Sequence, residues 1–89
     1  MKLKKQFAGE YKGQQVVDGY TIELQVSSLD DRGFTYDYFV NGMLTISDGW
    51  YGLRLKDIKR GIESDIKSAI EEYKKTIPFD EEHQSSIMY

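Results

Sequence analysis

The chain contains no cysteine, one histidine and one proline among its 89 residues. Without cysteine there is no disulfide framework, thiolate metal site or cysteine nucleophile, a composition typical of proteins from a reducing compartment. The histidine, His83, stands among acidic and polar residues near the C-terminus. We expect it to be solvated and not to serve as a catalytic base, because nothing there would hold it in a fixed geometry. A transition-metal site is not expected either.

Long apolar stretches are also missing. No apolar run approaches the roughly 20 residues of a membrane span, and the basic start MKLKKQF is not followed by the apolar stretch of a signal peptide. We therefore expect a cytoplasmic protein with no membrane partner. The glycines form neither of the common phosphate-binding loops, and the spacing of a calcium loop is absent. The sequence thus predicts a non-enzymatic protein without a cofactor or metal.

Two turn sequences predict hairpins in the first half of the chain. Residues 20–26 alternate between apolar and polar side chains, as a strand with one buried face does. Asp18-Gly19 before them fits a type I′ turn, which makes residues 14–17 the partner strand. Asn41-Gly42 separates FTYDYFV from MLTIS and predicts a second hairpin of the same kind. The turn formers and charges of residues 27–33 predict a surface loop.

The second hairpin assigns side chains to two faces. In an uninterrupted ladder from the Asn41-Gly42 loop, Tyr38 pairs with Thr45, and Tyr36 shares the face of Tyr38. We expect this to be the outer face, because tyrosine hydroxyls need polar partners. The opposite face carries the purely apolar residues of the hairpin, with Thr35 and Asp37 towards its far end, and is predicted to face the core through Phe39, Leu44 and Ile46.

From residue 55 the apolar period becomes that of an amphipathic helix. One stripe is formed by Ile58, Ile62, Ile66, Ala69, Ile70, Tyr73 and Ile77. Asp57 is predicted to be the N-cap or a first-turn acid, and Pro78 to end the helix, because the residue before a proline avoids the α region. Gly61 costs a helix about 1 kcal/mol relative to alanine. Two interpretations stay open: either a bulky sheet residue such as Trp50 packs against Gly61, or a glycine this early in the helix is simply tolerated.

Together these segments predict an α+β domain. Its antiparallel sheet has three to five strands, built from two β-hairpins with a further short segment near residues 50–55, and packs against one long C-terminal amphipathic helix. We expect a single domain over residues 1–78, followed by an acidic, mobile tail over residues 79–89.

Charge is distributed unevenly along the chain. The net charge is −3, and residues 13–53, the predicted sheet, carry −5. Residues 1–12 carry +3, residues 54–77 carry +2 and residues 78–89 carry −3. The sheet is therefore acidic as well as rich in tyrosine. Direct nucleic-acid binding through it is not expected, because aromatic platforms for bases work beside a positively charged groove.

An acidic surface with interspersed tyrosines suits a protein partner with a basic surface, since tyrosine is common at binding hot spots and carboxylates steer cationic partners. The residues predicted to bind this partner are Glu23, Asp30, Asp31, Tyr36, Asp37, Tyr38 and Asp48. We thus predict a small interaction module, and in its sharper form a nucleic-acid mimic directed against a DNA-handling protein. In size, acidity and tyrosine content the chain is similar in kind to small phage-encoded inhibitors such as anti-CRISPR and anti-restriction proteins.

Two other functions stay open at this point. In the first, the chain is a nucleic-acid accessory protein that binds through the basic side chains of its N-terminus and helix: Lys2, Lys4, Lys5, Lys12, Arg54, Lys56, Lys59 and Arg60. In the second, the acids only keep the surface soluble, and the chain has a structural role as a homodimer.

Overall fold

Five antiparallel strands and one helix make up the computed structural model of the protein. The structure describes the backbone of residues 1–87 and the side chains of residues 1–76. Each strand pairs with its neighbour in sequence, in the order β1-β2-β3-β4-β5, and the helix packs on one face of the sheet. This arrangement confirms the predicted α+β fold. The elements are β1 (Lys4–Phe7), β2 (Glu10–Val17), β3 (Tyr20–Leu29), β4 (Gly33–Val40), β5 (Met43–Tyr51) and α1 (Leu55–Ile87).

Tight turns confirm both predicted hairpins. Asp18 and Gly19 have φ angles of 52° and 83°, and Asn41 and Gly42 have φ angles of 49° and 83°, as a type I′ turn requires. The loop predicted over residues 27–33 is shorter than expected, because β3 continues through two serines into this segment. The sequence did not predict β1, whose four residues, KKQF, lack apolar alternation.

A bulge in β5 changes the predicted register of the second hairpin. The two residue pairs next to the turn are as predicted, but Tyr38 then pairs with Ile46 instead of Thr45. Thr45 is the extra residue, and its hydroxyl donates a hydrogen bond to the carbonyl oxygen of Tyr38 over 3.1 Å. Ile46 therefore shares a face with Tyr38 and not with Leu44, since one inserted residue reverses the alternation of a strand.

The helix covers the face of the sheet that carries the two tyrosines. β3 pairs Leu24 with Tyr38 and Val26 with Tyr36, and paired residues of neighbouring strands lie on the same face. The apolar side chains of β3 must be buried, so the tyrosines of β4 face the helix with them, where Tyr38 is 0% exposed and Tyr36 is partly buried. The predicted position of Tyr36 and Tyr38 on the outer face is therefore wrong.

The core joins one face of the sheet to the apolar stripe of α1. The predicted burial of Ile22, Leu24 and Val26 is confirmed, whereas Phe39 and Leu44 lie on the uncovered face, where Leu44 is 52% exposed. Ile46 packs against the core, as predicted, and is partly buried. The buried apolar residues are Ile22, Leu24, Val26, Tyr38, Val40, Leu53, Ile58, Ile62, Ile66, Ala69 and Ile70.

Helix α1 begins with the predicted first-turn acid. One carboxylate oxygen of Asp57, Oδ2, accepts a hydrogen bond from the backbone N–H of Arg54 over 3.1 Å. This bond satisfies one of the backbone donors that a helix leaves without a partner at its start, as in a capping box. It also lowers the pKa of the Asp57 carboxyl, and the guanidinium of Arg54 adds to this effect.

The structure favours simple tolerance of Gly61 over packing against it, and the predicted end of the helix is wrong. A Cβ atom at Gly61 would meet only Asp65 among the described side chains, at 3.4 Å from Oδ2, so Trp50 does not pack there. The helix continues past Pro78 to Ile87, because a proline removes one backbone donor and bends a helix without always ending it. The predicted mobile tail of residues 79–89 lies outside the residues whose side chains are described.

Candidate protein-binding site

Two tyrosines and two aspartates meet where β4, β5 and α1 come together. The hydroxyl of Tyr38 donates a hydrogen bond to Asp65 Oδ2 over 3.3 Å. The ring of Tyr36 packs edge-on against that of Tyr38, with centroids 5.9 Å apart and an interplanar angle of 86°. Asp48 pairs with Tyr36 across the β4–β5 ladder and so lies on the same side of the sheet. We call these four residues the tyrosine–aspartate cluster.

Burial and negative charge shift the acid–base behaviour of the cluster. Burial raises the pKa of the Asp65 carboxyl, and the charge of Asp48 raises it further, whereas the hydrogen bond from Tyr38 acts in the opposite direction. Burial also raises the pKa of the Tyr36 and Tyr38 hydroxyls, and the charge of Asp65 adds to both shifts. At neutral pH, Tyr38 therefore remains a protonated donor beside a carboxylate that is poorly solvated.

The negative charge of the cluster has no partner among the described side chains. The ion pairs there involve other acids, namely Glu23, Asp57 and Glu72. The Asp48 side chain is exposed, and the one described group that donates a hydrogen bond to it is the neighbouring backbone N–H of Gly49, over 2.8 Å. A cation that approached Asp48 and Asp65 from solvent would relieve the repulsion between their two charges. The cluster therefore favours a lysine or arginine of a partner.

Strand β5 borders the cluster and forms one edge of the sheet. Within the part of the chain that the structure describes, β5 pairs only with β4. Its outer backbone groups can thus pair with another strand, except that the Gly49 N–H already donates to Asp48. Large side chains are exposed on both of its faces: Met43 is 36%, Leu44 52%, Trp50 49% and Tyr51 63% exposed.

The uncovered face of the sheet carries only two of the predicted binding acids, Glu23 and Asp37. Each is engaged locally: Glu23 lies 3.8 Å from the Lys12 ammonium and accepts a hydrogen bond from Gln25 over 2.5 Å. Asp37 accepts a hydrogen bond from the Ser47 hydroxyl over 2.5 Å. Because Lys12 offsets the charge of Glu23, this face is less acidic than the sequence predicts.

The predicted binding residues do not form one surface. Asp30 and Asp31 lie in the β3–β4 turn with φ angles of 48° and 61°, a turn conformation that aspartate adopts more readily than most residues. Asp48 lies on the helix side of β5, away from Glu23 and Asp37. Of the predicted set, the structure brings Tyr36, Tyr38 and Asp48 together on the helix side, where Tyr38 is buried.

The sequence did not single out Asp65 or Trp50 as site residues. Asp65 follows Ile62 by three residues and precedes Ala69 by four, so it lies within the apolar stripe of α1. An acid at such a position is the signal that identifies it. Trp50 follows Asp48 by two residues on β5, so both side chains lie on the helix side of the sheet.

The basic residues are likewise divided. Lys2, Lys4 and Lys12 line one shallow depression of about 340 Å³ at the β1 edge. Arg54 and Arg32 line another depression, of about 570 Å³, where the β3–β4 turn meets the start of α1. Other basic side chains of α1, among them Lys56 and Lys59, are exposed.

Comparisons with known proteins identify no relative. No protein-family model, curated protein or solved structure matches the chain. Among the described residues, no group of three or more acidic or histidine side chains is placed to hold a metal ion. No described helix is long and apolar enough to cross a membrane.

Proposed function

We propose that the protein is a non-enzymatic interaction module that binds a protein partner with a basic surface, through strand β5 and the tyrosine–aspartate cluster. The observation that carries the proposal is the position of Asp48. It lies on an edge strand that pairs only with β4 in the described part of the chain, on the same side of the sheet as the exposed Trp50, and its charge acts on the partly buried Asp65. Carboxylates beside an aromatic ring are suited to an arginine or lysine, because the acids attract its charge and the ring binds its face.

The surface proposed here differs from the acidic, tyrosine-rich sheet face that the sequence predicts. Tyr36 and Tyr38 lie on the helix side of the sheet, where the buried Tyr38 holds Asp65 through its hydroxyl and Tyr36 packs against the ring of Tyr38. Mimicry of nucleic acid requires several carboxylates spaced over one rigid surface, and the predicted acids lie on three different parts of the molecule. The proposal is therefore limited to a basic protein partner.

The test compares variants with the same change of charge at different places. The double variant Asp48→Asn/Asp65→Asn removes both charges of the cluster and keeps an oxygen acceptor at each position. Glu63→Gln/Glu71→Gln is the matched control, because both residues are exposed on the outer side of α1. The wild-type chain and both variants are used as bait on host lysate, and bound proteins are identified by mass spectrometry.

We expect the wild type and the control to retain the same basic protein, and the cluster variant to lose it. Purified partner should then bind the wild type with an affinity that falls as salt is raised. Equal retention by all three baits, or an acidic partner, would contradict the proposal. Retention on DNA that depends on Lys2, Lys4 and Lys12 would instead support the nucleic-acid accessory function.

A further inference from the structure

The two edges of the sheet differ in length and charge. β1 is four residues long and carries Lys4 and Lys5, the kind of short, lysine-bearing edge that discourages pairing with other chains. β5 is nine residues long, contains neither lysine nor proline, and has Asp48 as its one charged residue. The β5 edge therefore lacks both the short length and the lysines that protect the β1 edge against an added strand.

The bulge at Thr45 restricts the regular part of this edge to Ile46–Tyr51, which pairs with β4 without interruption. Along this segment the side chains alternate between the two faces of the sheet. The helix side presents Ile46, Asp48 and Trp50 to an added strand. The uncovered side presents Ser47, Gly49 and Tyr51, of which the first two are small and leave room for larger side chains of the partner.

The charges around this segment exclude a second β5 as the preferred occupant. Asp37, Asp48 and Asp65 are the acids next to it, and none of them pairs with a cation among the described side chains. If two copies paired through β5, the same three carboxylates of each copy would approach the other. Like charges facing each other across strands are destabilising, whereas a strand that carries a lysine or arginine meets opposite charge.

We infer that β5 accepts an extended segment of a basic partner as a sixth strand. A lysine or arginine of the added strand lies beside Asp48, and apolar side chains two residues before and after it lie beside Ile46 and Trp50. Backbone hydrogen bonds along the edge supply affinity, while the alternating side-chain contacts supply specificity, as in other cases of strand addition. This inference rests on the proposed function and specifies the partner's conformation and motif.

A display library of random 12-residue peptides tests the motif without knowledge of the natural partner. Selection on the immobilised full chain should enrich peptides with a lysine or arginine flanked, two residues away on each side, by an apolar residue. Enrichment of acidic peptides, of peptides with helical apolar spacing, or of no peptide at all would overturn the inference.

The conformation and position of a selected peptide are tested by amide hydrogen exchange. Binding should slow exchange at backbone amides within Ile46–Tyr51 at least tenfold and leave the exposed side of α1 unchanged. The variant Asp48→Asn, whose amide oxygen still accepts the Gly49 N–H, should weaken binding about fivefold, the effect of losing one exposed ion pair. Glu63→Gln, the matched control, should not change it.

The outcomes separate this inference from the proposed function. If binding depends on Asp48 but the β5 amides are not protected from exchange, the proposed basic partner is supported and strand addition is overturned. Absence of any cationic ligand, from the library and from lysate alike, overturns both. A dimer that forms at increasing concentration in sedimentation velocity, with β5 amides protected and no peptide present, identifies a second copy as the occupant and overturns the inference.

Discussion

The hydroxyl of Tyr38 and the carboxylate of Asp65 meet over 3.3 Å between the sheet and the helix. Tyr38 buries its ring completely among apolar side chains, so its hydroxyl reaches the edge of the core, where Asp65 accepts a hydrogen bond from it. The same contact holds the Asp65 charge beneath Asp48. A bond that satisfies a core residue thus also fixes the electrostatics of the candidate binding site.

Replacement Tyr38→Phe removes this bond and keeps the ring. The free energy of unfolding should fall by about 1 kcal/mol, the usual net contribution of one hydrogen bond, as measured by urea denaturation. The pKa of Asp65 should rise further, because the bond lowers it in the folded protein, and carbon-detected NMR titration of the carboxyl measures this. Tyr36→Phe is the control, since its hydroxyl bonds to no other described residue. Equal effects of both replacements would contradict the assigned role.

The raised pKa of Asp65 has a consequence for stability against pH. Because the folded protein binds this proton more tightly than the unfolded chain does, the contribution of Asp65 is greatest below its ordinary value of 3.8 and is lost as pH rises through the folded pKa. As pH increases through the folded pKa of Asp65, the wild type should therefore lose stability relative to Asp65→Asn. Denaturant unfolding of both proteins at a series of pH values checks the direction, and a difference independent of pH would refute it.

Asp57 should show the opposite dependence. Its pKa is lowered, chiefly by the hydrogen bond from the Arg54 backbone, so its contribution to stability is present above 3.8 and is lost as pH falls through the folded pKa. The difference in unfolding free energy between wild type and Asp57→Asn should thus be larger at pH 7 than at pH 2. The same series of denaturation curves measures it, and a larger difference at acidic pH would show that the helix start is not held by the ionised carboxylate.

Two glycines should respond to alanine in opposite directions. A Cβ atom at Gly49 would lie 2.5 Å from both the Phe34 carbonyl oxygen and the Thr35 Cα, which are backbone atoms of β4. Gly49→Ala should therefore destabilise the protein by about 3 kcal/mol, as overpacking does. At Gly61 the added methyl meets only a flexible carboxylate, so Gly61→Ala should stabilise it by about 0.5–1 kcal/mol. Thermal unfolding of both variants measures the two effects. A shift of both unfolding midpoints in the same direction would contradict the prediction.

The bulge residue Thr45 should be dispensable for the fold. Its deletion leaves Leu44 opposite Phe39 and Ile46 opposite Tyr38, so both faces of the hairpin keep their side chains. The cost should be about 1 kcal/mol, from loss of the hydrogen bond to the Tyr38 carbonyl. Deletion of Ser47 is the control, because it moves Asp48 and Trp50 to the uncovered face. Circular dichroism and urea denaturation compare the two, and a folded Ser47 deletion beside an unfolded Thr45 deletion would refute the assigned register.

The local signals in the sequence predict the fold well. A type I′ turn requires positive φ angles at two successive positions, and Asn41-Gly42 and Asp18-Gly19 are the residue pairs that adopt them most readily. The apolar stripe of α1 is equally local. The sequence does not predict strand β1, because its four residues show no alternation of apolar and polar side chains. Its pairing with β2 is what defines it as a strand.

The faces of β4 could not be predicted from its own residues, because both carry large side chains. The choice depends on the register with β3, whose buried face is unambiguous, and on the extra residue at Thr45, which no turn signal marks. Tyrosine hydroxyls need polar partners, which favours solvent-exposed positions in a sequence-based prediction. For Tyr38, however, Asp65 of the helix supplies that partner within the protein. The sequence therefore predicts three members of the cluster, Tyr36, Tyr38 and Asp48, but places the two tyrosines on the wrong face and does not identify Asp65.

The sequential pairing of the strands bears on how the protein forms during synthesis. Every ladder joins segments that follow each other in the chain, so each hairpin is complete soon after it leaves the ribosome. The apolar side of this meander has no cover until Ile70 has also emerged, because α1 is made last. Nascent chains that stall before that point expose the apolar face of the sheet and are prone to aggregate, so this is the stage at which chaperones are needed.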